Sequence, residues 1–408
     1  MDSETTGPVA SSTDRFARKK EAIIAAATGI LNRRGVKGMT LADVAASVDL
    51  ITTSVTYYFK KKEDLAVACF LSSIERFDNL ISAALGARDN RERLHSFLRL
   101  YLDLNRRVRQ AEEAPLAAFA DIRALKEPHQ GRVSEAYKQL FRKVRTLFEA
   151  DFEYADANAR THILLEQLLW SSNWLSRYDI EDYGRIGERF YDILANGIDA
   201  GDNEGWAPAL VEFIQLPPVS HRERARDTFL KAATRLINQH GYRGASVEKI
   251  SAQLNVTKGS FYHHNEAKDD LVVACFERSF DIMKRLQSAA MREPGTQWQK
   301  LCSAAAALVE FQVSDGGPLL RTSAISALPE NIRQDMLSQW NRVSDRFSAM
   351  ISDGIAEGSI RPIDSVIAAQ LLNATLNASA SMRIDRSAIR EHAARLYAKP
   401  MLMGLFSK

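Results

Sequence analysis

Residues 40–59 read Thr40-Leu41-Ala42-Asp43-Val44-Ala45-Ala46-Ser47-Val48-Asp49-Leu50-Ile51-Thr52-Thr53-Ser54-Val55-Thr56-Tyr57-Tyr58-Phe59. Thr40 stands at an N-cap position, where a hydroxyl accepts a bond from an early backbone N–H. Leu41, Val44, Ala45 and Val48 then fall on one helical face. Asp49-Leu50 makes a tight turn with an apolar residue tucked inward. The second helix, Thr52 to Phe59, is small and polar at its start and aromatic at its end. A helix-turn-helix of this kind docks through one apolar face. Its other face keeps hydroxyls and tyrosines, which suit base edges and phosphates in a major groove.

Upstream, Ile23, Ala26, Ala27, Ile30 and Leu31 form the stripe of a preceding helix that Gly35 ends. The same grammar recurs 206 residues later. The stripe becomes Phe229, Ala232, Ala233, Leu236 and Ile237, ended by Gly241. Ser246 takes the cap, Val247, Ile250, Ser251 and Leu254 form the apolar face, and Asn255-Val256 forms the turn. The second helix is Thr257-Lys258-Gly259-Ser260-Phe261-Tyr262-His263-His264. Further on, Leu65-Ala66-Val67-Ala68-Cys69-Phe70 returns as Leu271-Val272-Val273-Ala274-Cys275-Phe276, and Arg189 and Tyr191 return as Arg395 and Tyr397. A whole domain of about 200 residues is duplicated.

The 408 residues are too many for one ordinary core. Helical periodicity runs throughout both halves and no alternating strand pattern interrupts it, so the fold class is all-α. The expected organisation is a polar tail (1–14), a first head (15–62), a first helical body (63–200), a linker (201–221), a second head (222–268) and a second body (269–408). No run of 18 apolar residues predicts a membrane span, and Met1-Asp2-Ser3-Glu4 does not open a secretory signal. Three cysteines without metal spacing fit free thiols in a cytoplasmic protein. Catalytic fingerprints for nucleophile elbows, phosphate loops, dinucleotide sites and zinc proteases are lacking, so an enzyme is not expected and no cofactor or metal is assigned. Charge is uneven: residues 15–70 carry ten cations against five anions, residues 221–276 nine against six, and the chain as a whole is only +3. Cations therefore collect on the two heads, where phosphates would be neutralised.

The residue pattern of each head resembles the TetR (tetracycline-repressor-like) family of bacterial regulators. The first carries the resemblance in Phe59-Lys60-Lys61-Lys62-Glu63-Asp64-Leu65, the second in Val256-Thr257-Lys258-Gly259-Ser260-Phe261-Tyr262-His263-His264. The resemblance implies two TetR-like units, each a three-helix head followed by a helical ligand-binding and dimerisation body. It also implies a double-stranded operator as partner, a small-molecule effector, and repression as the default. The heads depart from the pattern differently. Ile51-Thr52-Thr53 stands where Ser-Lys-Gly is usual, Thr56 replaces the first tyrosine, and Asn255 and Asn265 replace a turn glycine and a phenylalanine. Different base preferences follow, and with them an asymmetric operator.

Candidate DNA-binding residues are Thr40, Thr52, Thr53, Ser54, Tyr57, Tyr58 and Lys62 in the first head, and Ser246, Thr257, Lys258, Gly259, Ser260, Tyr262, His263, His264 and Lys268 in the second. By resemblance Lys62 and Lys268 contact phosphates; the bland alternative is a solvated lysine. The tyrosines equally fit the rim of the head's core. Adjacent His263 and His264 point about 100° apart on a helix, which disfavours metal. Cys69 and Cys275 occupy matching core positions. Trp170 and Trp174 share a helical face and either line a ligand cavity or belong to an ordinary core or a dimer seam. The last two helices of each half are expected to form a four-helix bundle with a like pair, supplied by the other half in a covalent pseudo-dimer or by a second chain in a homodimer. Pro400 is expected to interrupt the last helix. Alternatives left open by the residues are a homodimer using one head per chain and a ligand- or protein-binding module that no longer holds DNA.

Overall fold

In this computed structural model the described residues are 12–201, 205–209, 211, 221–245, 249, 251–252, 268–380 and 392–408. Among them the secondary structure is helical, apart from an isolated bridge between Asp199 and Ile360. The first unit runs α1 (Ser12–Gly38), α2 (Leu41–Ser47), α3 (Thr52–Tyr58), α4 (Lys62–Ala84), α5 (Asn90–Arg109), α6 (His129–Arg145), α7 (Tyr154–Leu175) and α8 (Tyr183–Asn196). The second runs α9 (His221–Gly244), α10 (Lys268–Arg292), α11 (Gln297–Val313), α12 (Glu330–Glu357), α13 (Ser365–Ser379) and α14 (Ala393–Met403). Short 3₁₀ turns, Phe119–Ala124 and Thr322–Ala327, follow α5 and α11. Gly35 and Gly241 lie at φ 65° and 71°, so both head helices break at a residue without a Cβ.

In the first unit α1 packs on α4, α4 on α5 and α6, and α5 on α8. In the second, α9 packs on α10, α10 on α11 and α12, and α12 on α13. Phe70, Phe97, Phe148 and Phe190 are fully buried in the first unit, as are Phe276, Phe280 and Phe347 in the second. Each such ring contributes roughly 1.5–3 kcal/mol of apolar transfer.

The two units share a seam. α7 packs on α13 and α14, and α8 on α13. Shifted by the repeat interval, α7 falls on α13 and α8 on α14, so like helices meet like. Pro400 lies inside α14 without ending it; the loss of one ladder bond is tolerated in a helix buried against α11, α13 and α7. Polar residues bridge the seam. The Gln167 amide donates to the Leu371 carbonyl (2.7 Å) and the Thr375 hydroxyl (3.0 Å). Buried Arg160 donates to the carbonyls of Leu405 (2.9 Å) and Ser407 (2.7 Å) and stacks on Phe152. Arg189 pairs with Asp364 (2.5 Å), and its repeat counterpart Arg395 pairs with Asp156 (2.8 Å). The ends of α8 and α14 touch backbone to backbone: Ile198 N donates to Leu402 O (2.8 Å) and Leu405 N to Leu194 O (2.7 Å).

Candidate nucleic-acid interface

The first head is fully described. Thr40 caps α2, its hydroxyl accepting from Asp43 N (3.1 Å) and donating to the Asp43 carboxylate (2.7 Å). That hydroxyl, with Arg34 at 2.9 Å, holds the Asp43 carboxyl below its usual range. Thr40→Ala is expected to lower stability by about 1 kcal/mol while Thr40→Ser keeps it, as urea midpoints would show. Asp49, in the turn, sits at φ 52°. Val44 and Ala45 of α2 and Val55 of α3 are buried, in one core with Ala27 and Leu31 of α1, Phe59 and Leu65.

Burying only Val55, α3 turns the rest of its surface outward. Thr52, Thr53 and Tyr57 are exposed, as is Ile51 just before them. Ser54 is half-buried, and the Thr56 hydroxyl is occupied by the Thr53 carbonyl (2.9 Å). The tyrosines divide the two roles weighed for them. Tyr57 stays exposed, whereas half-buried Tyr58 packs on the core and against Phe16 at 4.6 Å between ring centroids. Phe16 also meets Tyr57 edge-on. This contact lays the start of α1, with exposed Arg15, Arg18, Lys19 and Lys20, beside α3. Lys60 and Lys61 are exposed beyond its other end. Lys62 is half-buried, and its ammonium donates to the Lys37 carbonyl (2.8 Å), tying α4 to the end of α1.

In the second head Ser246 and the stretch Thr257, Lys258, Gly259, Ser260, Tyr262, His263 and His264 lie outside the described residues. Lys268 opens α10, with its ammonium 4.4 Å from the centre of the Tyr242 ring. Cys69 and Cys275 are both buried, and desolvation pushes each thiol up to about 11. Among the described residues no group of His, Cys, Asp or Glu has a metal-binding arrangement.

Trp170 and Trp174 part company. Trp170 belongs to the seam, where its indole donates to Gln370 (3.3 Å) and its ring meets Trp340 edge-on at 5.7 Å. Trp174 stays in the first body against Phe190 and Tyr178, and its buried N–H finds no acceptor among the described residues. An open groove elsewhere is lined by Arg189, Asp192, Ile193, Ile355, Pro362 and Asp364; neither tryptophan reaches it.

Two polar residues escaped the sequence reading although they repeat at the same interval. Asn32 donates to Leu116 O (2.8 Å) and accepts from Ala118 N (2.9 Å). Asn238 donates to Leu319 O (2.9 Å) and accepts from Arg321 N (3.0 Å). The shared offset was the available signal. Their partners, however, repeat at a shorter interval, which breaks a simple overlay.

A packed helix-turn-helix with a polar outer face and a basic rim defines a DNA-binding head. Residues 23–69 and 229–275 both match the tetR family of bacterial regulatory proteins. The chain is similar to the HTH-type transcriptional repressor DhaR of Mycobacterium sp. (strain GP1), at 26% identity over 41% of this chain and 86% of that one. It is also similar to the transposon Tn10 TetC protein of Escherichia coli, at 24% identity over 36% and 73%. Among solved structures it is similar to AibR in complex with isovaleryl coenzyme A and operator DNA (15% identity, 43% of this chain, 97% of that chain, TM-score 0.35) and to PfmR from Thermus thermophilus (15%, 42%, 95%, TM-score 0.34). The chain is a tetR-family transcriptional regulator built as a tandem duplication of two TetR-type units. No described helix is long and apolar enough to cross a membrane.

Proposed function

We propose that this regulator is a cytoplasmic, ligand-responsive repressor that occupies its operator as a covalent pseudo-dimer, with two non-identical heads reading an asymmetric site. The observation that carries this reading is the near-reciprocal seam. In a two-fold interface residue i meets j while j meets i. Arg189–Asp364 and Arg395–Asp156 approach that relation within one chain, as do the crossed backbone bonds at the ends of α8 and α14. Such a seam would set the heads about one helical turn apart (~34–36 Å). Thr52, Thr53 and Tyr57 read bases in the first half-site, with Thr40 and Ser54 at its edge and Tyr58 buttressing from Phe16. Thr257, Lys258, Gly259, Ser260, Tyr262, His263 and His264, entered from Ser246, read the second. Lys62 keeps two ammonium protons for a phosphate beyond its bond to Lys37, and Lys268 serves the other head. An effector is placed against Trp174, whose unmatched buried N–H suits a ligand acceptor; release of DNA then requires unequal affinity for the two states. Repression follows the relative that is named a repressor.

Footprinting tests the assignment of heads. Thr52→Ala with Thr53→Ala removes exposed hydroxyls without touching the core and is expected to erase protection on one side of the site only. Lys258→Ala is expected to erase the other side. Loss spread evenly over both sides would contradict two distinct readers. Lys62→Ala is expected to lower the salt slope by about 0.9, the contribution of one phosphate.

A further inference from the structure

One segment of the first unit touches the first helix of both heads. Residues 116–124 hold α1 through three bonds: the two from Asn32, and a third in which the Val36 N–H, just past the Gly35 break, donates to the Asp121 carboxylate (2.6 Å). The 3₁₀ turn at the end of the same segment also packs along α9 of the second unit. There the Arg123 guanidinium donates to the main-chain carbonyl of Asn238. Asn238 stands in the last turn before Gly241, where carbonyls lack intrahelical partners and the helix end favours a cation. Its amide meanwhile brackets Leu319 and Arg321 of its own unit. Both head helices thus touch both bodies, since α1 also meets the Thr322–Ala327 turn of the second unit; the contact of segment 116–124 with α9 is the more extensive of the two crossings.

We propose that segment 116–124 is a shared fulcrum that fixes the separation of the two heads, with Asn32, Asp121, Arg123 and Asn238 as positioning residues. This rests on the two-headed reading above. A shift of the first body moves the segment, and the segment carries both head helices with it; Arg123 supplies the hydrogen bond by which the segment grips the second. Cutting the Arg123 link leaves each head folded and able to hold a half-site, but lets the distance between them vary.

The test uses the full chain and duplexes it selects from a random library, re-made with the spacer between half-sites lengthened in single base pairs. The wild-type chain is expected to prefer its optimal spacing over one displaced by ~5 bp, half a helical turn, by about 30-fold, within the usual range of intersite coupling. Arg123→Ala is expected to reduce that preference to below about 5-fold, with affinity for an isolated half-site unchanged within about two-fold. Arg123→Lys, which can still donate to one carbonyl, is expected to restore it. Asn238→Asp keeps the acceptor for Arg321 N and the main-chain carbonyl that Arg123 holds, losing only the bond to Leu319 O; it serves as the control and is expected to keep the spacing preference of the wild-type chain. A uniform loss of affinity with the spacing profile intact would mean these residues merely stabilise the fold and would overturn the fulcrum. A wild-type chain indifferent to spacing would overturn the two-headed reading itself, and the fulcrum with it.

Discussion

Gly197→Ala is expected to destabilise the chain by on the order of 3–5 kcal/mol, the largest effect of any single methyl group at the seam. Gly197 follows α8 at φ 70°, ψ −162°, a region open in practice only to glycine. A Cβ there would run into the carbonyl carbon of Met403, the carbonyl oxygen of Leu402 and the nitrogen of Gly404. All three are backbone atoms at the end of α14, so none can swing aside as a side chain would. They belong to the strip where Leu402 O accepts from Ile198 N and where Leu405 N donates to Leu194 O. Backbone strain of about 1–3 kcal/mol is therefore joined by loss of buried hydrogen bonds worth about 1 kcal/mol each. Gly404, at φ 97° with Ala195 O 2.7 Å from its own would-be Cβ, faces the same constraint from the other unit. Gly184, in the first turn of α8, is the control: nothing lies within 4 Å of its Cβ position. Gly184→Ala is expected to be neutral or to stabilise by up to about 1 kcal/mol. Urea denaturation of the three chains measures both effects, and a Gly197→Ala chain as stable as the Gly184→Ala chain would refute the close approach.

A second large effect concerns acid. His162 of α7 lies at the seam, its Nδ1 3.1 Å from the Tyr397 hydroxyl and its ring edge-on to Phe141. Burial, reinforced by the positive charge of Arg321, brings its pKa down from 6.5 to about 4. A histidine whose folded pKa is depressed favours the folded state fully above its unfolded value and loses that contribution as the pH falls. The window here is pH 6.5 to 4, and the loss on the order of 3 kcal/mol. Glu166, one helical turn on, is shifted the opposite way: burial raises its carboxyl, against the pull of Arg321 and Arg123. Its protonation therefore relieves strain as the pH falls and partly offsets His162. Comparison with His162→Asn isolates the histidine. The wild-type chain is expected to lose markedly more stability than the variant between about pH 7 and 4.5; parallel pH profiles would rule out the imidazole as the cause.

The all-helical class and the tandem design were legible because they rest on period and repetition. Apolar stripes at helical spacing and one interval shared by Gly35 and Gly241, Cys69 and Cys275, and Arg189 and Arg395 are properties of the chain itself. The lining of the first reading helix was partly legible. Thr52, Thr53 and Tyr57 stand in the open, but whether a tyrosine covers a core or meets solvent depends on what packs beside it, and Phe16 decides that for Tyr58. The seam was the least legible part. Arg160, His162 and Gln167 look like the wet face of a helix in sequence, and become interior only because the second unit covers them. Lys62, read from resemblance as a phosphate contact, also spends one proton on Lys37, a contact 25 residues away that no local pattern encodes.

The most direct test of the whole is the number of chains on one operator. Native mass spectrometry of the full-length protein with a duplex chosen from its own selected sites, read beside a footprint of the same complex, gives that number and the symmetry of the site together. One chain per duplex across an asymmetric pair of half-sites is the expected result. Two chains seated on an inverted repeat, each protecting an identical half, would contradict it.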